Sequence, residues 1–265
     1  MRLLASVCAV LMLIGCSERG PAEPAPEHDG VIRAGSGPIA FVAQRLAGNG
    51  VSVELPVPEG ADPATWRPGF DVIADYQGSM LIVLNGAGFE QWAESAALPQ
   101  SRVVRTADTA GIELIRTKQV THTHGTEGSH DHGGVNPYTW LDPAMLTKQA
   151  EAVCAALQAE MPGHAGTLES NLATLRAELT GLSTAWLAVD VSGITLRARN
   201  DAYAYLARAA GWSVEVDDAT EPQTGSVMLD DVIELGPSAQ PEQYLSVQRR
   251  NIERLAQAAA EARGG

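Results

Sequence analysis

"HAGTLESNLATLRAELTGLSTAWLAV", residues 164–189, decides how this chain is built. Leu168, Leu172, Leu175, Leu179, Leu182 and Trp186 recur at spacings of four and three, the period of one apolar stripe along an α-helix. A stretch of about 25 residues makes a rod ~37 Å long. One short stripe is weak support for a coiled coil. It predicts instead a rigid helix packed along, or connecting, two folded units.

Working outward, "AMLTKQAEAVCAALQAEM" just upstream reads as a second helix. Further toward the N-terminus, strands and helices alternate. "VIRAG", "VSVELPV", "SMLIVLNG" and "SRVVRTAD" read as strands, and "PIAFVAQRLAG", "FDVIADYQG" and "FEQWAESA" as helices. Downstream, "GITLRA" and "WSVEVDD" flank the helix "DAYAYLARAAG". "SVMLDDVIEL" follows as a strand, and "PEQYLSVQRRNIERLAQAAAEAR" as a terminal helix. Such alternation implies parallel sheets covered on both faces. The expected fold is therefore α/β: two Rossmann-like lobes with parallel sheets, joined by one long helix, the C-terminal lobe reduced. The N-terminal lobe is expected over 31–142, the connecting helices over 143–190 and the short C-terminal lobe over 191–265.

The chain has 265 residues, 45% of them hydrophobic, enough for a large core. Its formal net charge of −14 argues against nucleic acid and against a polybasic membrane contact. "MRLLASVCAVLMLIGC" begins with one arginine and about a dozen apolar residues, too few to span a bilayer, and reads as a secretory segment. Leu13-Ile14-Gly15-Cys16 resembles the bacterial lipobox. Residues 1–15 are expected to be a lipoprotein signal peptide, Cys16 the lipidated anchor to the membrane, and the Pro-, Ala- and Glu-rich 16–30 a tether. Cys154 then remains as the sole thiol, which excludes a disulfide or a cysteine zinc site and suits a small buried hydrophobe.

Metal chemistry must therefore use other donors. "HTHGTEGSHDHGG", within a glycine-rich loop over 121–134, carries His122, His124, His130 and His132. Neutral imidazoles suit Zn²⁺, Cu²⁺ or Ni²⁺, and Glu127 or Asp131 can complete a shell. The spacing matches no preformed zinc cage, and ordering a loop opposes binding at roughly 1–2 kcal/mol per residue. Adjustable, pH-sensitive binding is expected. His28 and His164 are isolated and read as structural. No G-x-S-x-G, H-E-x-x-H, Walker A or G-x-G-x-x-G pattern is present, so an enzyme is not expected.

Four segments in order resemble the solute-binding receptors of zinc and manganese ABC importers. "VELPVPEGADPATWRP" is similar to the family's "L-V-P-x-G-x-D-P-H-x-[YF]-x-P", and "LIVLNGAGFEQW" to its "N-G-x-G-x-E-x-W". "NPYTWLDP" after a His-rich insertion resembles "D-P-H-x-W-L-D-P", and "NDAYAYLARAAGW" resembles "H-D-A-[FY]-x-Y-x-x-x-x-G". The resemblance implies a monomeric, lipid-anchored periplasmic protein serving an ABC permease, with zinc or another divalent transition metal as ligand. It also implies three cleft histidines and a carboxylate. Here those histidine positions fall on Ala64, Tyr138 and Asn200, and the carboxylate on Asp230 or Asp231. Trp66, Trp140 and Tyr203 are expected to line the same cleft. Two functions follow: collection of Zn(II) or a similar ion largely through the histidine loop, or a divergent receptor or adaptor. The latter's cleft would take an organic ligand, a metal chelate or a partner protein.

Overall fold

The computed structural model describes residues 28–109, 111–116, 134–216, 224–238 and 240–264. Two parallel sheets organise it. The first has the order β2-β1-β3-β4, built from β1 (Ile32–Ala34), β2 (Val53–Glu54), β3 (Leu81–Leu84) and β4 (Val103–Arg105). Its helices are α1 (Gly37–Ala47), α2 (Phe70–Gly78) and the single turn α3 (Thr106–Thr109). Then come α4 (Pro143–Glu160) and α5 (Ala165–Leu187). The second sheet has the order β6-β5-β7, from β5 (Thr195–Ala198), β6 (Val214–Val216) and β7 (Ser226–Met228). Short α6 (Ala204–Ala210), the turn α7 (Leu229–Val232) and terminal α8 (Tyr244–Gly264) complete it.

Helix α5 carries the stripe that the spacing predicts. Leu168, Leu175, Leu179, Leu182 and Trp186 are buried, and Leu172 is partly so. It packs on α1 and α4 from the first half and on α6 and α8 from the second, so one rod serves both. Trp186 sits edge-on to Trp212 at 6.2 Å and its indole donates to Gln248 Oε1 at 3.2 Å. Helix α4 starts where its sequence dictates: Pro143 occupies the first turn and the Asp142 carboxylate caps Ala144 N at 2.9 Å. Gly211 ends α6 in the left-handed conformation, φ 69°.

Three segments depart from expectation. Residues 89–96, expected as a helix, form only a 3₁₀ turn, Gln91–Glu94. The Glu90 side chain folds back onto the preceding loop and Trp92 is drawn into the core against Tyr76, ring centres 4.7 Å apart. Residues 226–235 keep strand pairing only through Met228. Asp230 then accepts from Arg199 N at 2.8 Å and Asp231 from the Arg199 guanidinium at 3.1 Å, which bends the chain into α7. Strand β2 is just two residues long because Pro56 follows so closely, and proline cannot donate to a ladder.

The first sheet reverses its strand order between β1 and β3, which opens a crevice at their C-terminal ends. The C-terminal ends of β5 and β7 lead into Asn200–Tyr203 and Asp230. The segment Ile233–Ser238 runs between the two halves as a strap. Leu235 O accepts from Trp140 Nε1 at 2.7 Å, and Pro237 O accepts from Gly37 N at 2.9 Å.

Candidate ligand cleft

A cavity of about 440 Å³ lies where these pieces meet. The first half contributes Asp62 and Tyr138, and the second contributes Tyr203 and Asp230. Ile233, Leu235 and Pro237 of the strap close one side.

The placement of Tyr138 can be traced to the loop "NGAGFE", residues 85–90. Gly86, Ala87 and Gly88 all have positive φ (80°, 52° and 72°), a run that two glycines make accessible. A side chain at Gly86 would also meet Arg105 Cβ and Asp108 Oδ2 at 3.0 Å. The loop's amides are gathered by acids: Glu90 Oε1 accepts from Asn85 N at 2.8 Å, Glu90 Oε2 from Gly86 N at 3.2 Å, and Asp108 Oδ1 from Ala87 N at 3.0 Å. Burial pushes the Glu90 carboxyl up to about 7; the backbone amides of Asn85, Gly86 and Glu90 itself oppose this, and the nearby Asp108 charge adds to it. So held, Asn85 points its side-chain amide at the segment bearing Tyr138. Its Nδ2 donates to Pro137 O at 2.9 Å, and its Oδ1 accepts from Thr139 Oγ1 at 3.1 Å and Gln149 Nε2 at 3.0 Å. Tyr138 is thereby gripped on both flanks.

Phe89, Tyr138 and Trp140 form an aromatic group with ring centres 4.9–6.1 Å apart. Burial raises the Tyr138 phenol, assisted by Asp62 and Asp201. Burial raises the Tyr203 phenol strongly, assisted by Asp230 and Tyr138 and opposed by Arg199. Both phenols are therefore neutral at physiological pH.

The expected site residues divide. Tyr138, Tyr203 and Asp230 line one cavity. Ala64 stands aside: Asp62, two residues earlier, lines the cavity and accepts from Ala64 N at 3.0 Å. Asn200 turns its side chain inward along its own loop, where Oδ1 accepts from Ala202 N at 2.8 Å. Trp66 and Trp140, expected at the cleft, are packed elsewhere. Trp66 lies edge-on to Trp92 at 6.1 Å, and Trp140 is fully buried. Their large apolar faces gain more from burial than from a water-filled opening. Asp62 was missed although it stands in the "G-x-D-P" portion of the quoted motif. Among the described residues no three His, Cys, Asp or Glu side chains gather closely enough to hold a metal. His122, His124, His130 and His132, with Glu127 and Asp131, lie outside the described residues, as does Cys16.

The borders of that histidine segment are described. Arg116 and Val135 form an antiparallel bridge, and Asn136 N donates to Ile115 O at 2.8 Å. From α6 the Tyr205 hydroxyl accepts from Ile115 N at 3.0 Å and donates to Asn136 O at 2.8 Å, tying both sides of this stem to the second half. Asn136 Nδ2 also donates to Asp201 O. Tyr205→Phe leaves an N–H and a carbonyl without these bonds, which costs about 1–3 kcal/mol. Urea unfolding should show that loss, and trypsin should cut after Arg116 faster than in the parent. An unchanged cutting rate would mean the hydroxyl does not hold the stem.

Two parallel sheets bridged by a long helix, with a cavity between their C-terminal ends, define the architecture of the solute-binding α/β proteins. The chain belongs to the family described as "zinc-uptake complex component A periplasmic", whose profile matches residues 32–227. Zinc-binding lipoprotein AdcA of Streptococcus pneumoniae is 28% identical over 191 residues, covering 69% of this chain and 36% of that protein. High-affinity zinc uptake system protein ZnuA of Bacillus subtilis is 26% identical over 212 residues, covering 76% and 65%. The chain thus spans about a third of the first relative's length and just under two thirds of the second's. Among solved structures, the solute-binding protein FpvC of Pseudomonas aeruginosa in complex with Mn²⁺ superposes with a TM-score of 0.67 at 18% identity, covering 87% of this chain and 98% of that one. A crystal structure of ZnuA gives 0.66 at 19%, covering 86% and 98%. The family is one of uptake components, in keeping with the lack of an enzyme motif.

Proposed function

We propose that this chain is the lipid-anchored, periplasmic capture component of a zinc-type ABC importer, delivering its solute to a permease. In this reading Zn(II) or a similar divalent ion is collected largely by His122, His124, His130 and His132, and Cys16 carries the lipid. The supporting observation is the stem. The histidine-bearing segment leaves and re-enters through Arg116 and Val135, three residues before Tyr138 on the cleft wall, and Tyr205 holds both sides. Ions gathered there are delivered at the mouth between the two halves.

Titration calorimetry of the lipid-free chain with Zn²⁺ tests this. Heat of binding is expected at pH 7.5, weakening as the imidazoles protonate below about 6.5. It should vanish when the four histidines are replaced by alanine. Absence of heat from the intact chain would sink the reading.

A second reading, a divergent receptor or adaptor of the same family, draws on a different observation. Ala64, Tyr138 and Asn200 stand where the resemblance calls for histidines, and the described residues hold no ready metal cluster. Its cleft would take an organic ligand, a chelate or a partner protein rather than a free ion.

A further inference from the structure

We propose that the cavity between Tyr138 and Tyr203 receives an organic cation, an ammonium or guanidinium group on a short carbon frame, in preference to a bare metal ion. This rests on the second reading above, a receptor whose cleft takes an organic ligand rather than a free ion, and names the class of that ligand.

The first argument is the composition of the walls. Two phenol rings and the aliphatic side chains of Ile233 and Leu235 surround a space of about 440 Å³, and Asp62 and Asp230 supply negative charge from opposite halves of the molecule. No lysine, arginine or histidine is among the described residues that line it. Carboxylates beside aromatic faces attract cations by ion pairing and by the ring quadrupole together.

The second is independent of the acids. Tyr203 is only 3% exposed, it lines the cavity, and its hydroxyl has no hydrogen-bond partner among the described residues. A hydroxyl that opens onto a cavity from an otherwise buried side chain, with no protein partner, is an acceptor and donor available to a ligand.

The third separates an organic cation from a metal. A metal needs donors converging to about 2.0–2.6 Å from one point, and the described residues offer no such group. Both Asp62 oxygens already accept local bonds, from Ala64 N at 3.0 Å and Thr65 Oγ1 at 3.2 Å, and Asp230 Oδ2 accepts from Arg199 N at 2.8 Å. Each oxygen still has a lone pair for one N–H, which suits an ammonium with its three donors. The phenols, kept protonated by burial and by the carboxylates, present neutral rings rather than phenolate ligands.

Titration calorimetry of the lipid-free chain with 1,4-diaminobutane tests the inference, with 1,4-butanediol as its uncharged isostere. The diamine should bind and the diol should not. Asp230→Asn and Asp62→Asn, which keep the shape and one acceptor oxygen each, should each weaken the diamine at least tenfold. Tyr138→Leu should weaken it several-fold, and each variant's unaltered melting temperature verifies that it is folded. Equal binding of diol and diamine, or no diamine binding by the folded parent, would overturn the assignment. The zinc titration of residues 122–132 does not depend on these substitutions, so the ligand class can fail while the capture reading stands.

Discussion

Trp140→Ala is expected to lower stability by about 3–5 kcal/mol and to dismantle the cleft wall at the same time. The ring is fully buried and touches Phe89 and Tyr138 at centre distances of 4.9 and 5.2 Å. Its indole N–H is bonded to Leu235 O in the strap, and its carbonyl accepts from the Tyr244 hydroxyl at 2.9 Å. Tyr244 in turn stacks on Phe41 of α1, ring centres 4.8 Å apart. One side chain therefore joins the 85–90 loop, the Tyr138 segment and the strap, while its backbone reaches α8. Alanine leaves a cavity and an orphaned carbonyl together, and the two losses add. Trp140→Phe separates them: it retains most of the packing and strands only Leu235 O, at about 1–3 kcal/mol. Chemical unfolding of both variants reads the difference. Equal losses would mean that the hydrogen bond, rather than the ring, ties the strap.

The second large effect concerns pH. Glu90 is 3% exposed, and burial lifts its carboxyl from an ordinary value of 4.5 to about 7. Below pH 4.5 both folded and unfolded chains hold the proton. Between 4.5 and about 7 the unfolded chain releases it while the folded chain keeps it, so the contribution of Glu90 to stability declines as pH rises. The decline is complete above about pH 7 and amounts to roughly 3 kcal/mol. Glu90→Gln removes this titration and keeps the shape, though its amide can accept from only one of the Asn85 and Gly86 N–H groups. The parent's stability relative to this variant should therefore fall between pH 5 and pH 8. Urea midpoints across that range measure it. A difference that stays flat would show that Glu90 is ionised throughout. Gly35 packs closely against this carboxyl, since a Cβ there would stand 2.6 Å from Glu90 Oε1.

What could be read from sequence, and what could not, follows from how each residue is used. The leucines from 168 to 182 with Trp186 showed a helical period because one face of α5 is buried along its whole length. The parallel sheets were legible because β3 is apolar on both faces, all four residues buried. Motif resemblance points to Tyr138, Tyr203 and Asp230, and these line the cavity. Asp62 lines it too, but the resemblance points instead to the histidine position two residues further on, at Ala64. Trp140 was placed at the cleft from its neighbourhood, yet its ring is consumed by the core. The strap over 233–238 carries no period at all. Its role is played by backbone carbonyls of Leu235 and Pro237, and a carbonyl leaves no mark on residue type.

That strap also makes one wall of the cavity a reporter. The same few residues line the cavity and bond to Trp140 and to the first amide of α1, so this wall moves away only when those bonds break. Such a movement need not involve unfolding of either sheet. The amide proton of Gly37 reports it, because its exchange with solvent deuterium requires loss of the bond to Pro237. A ligand resting against the strap should slow the exchange of Gly37.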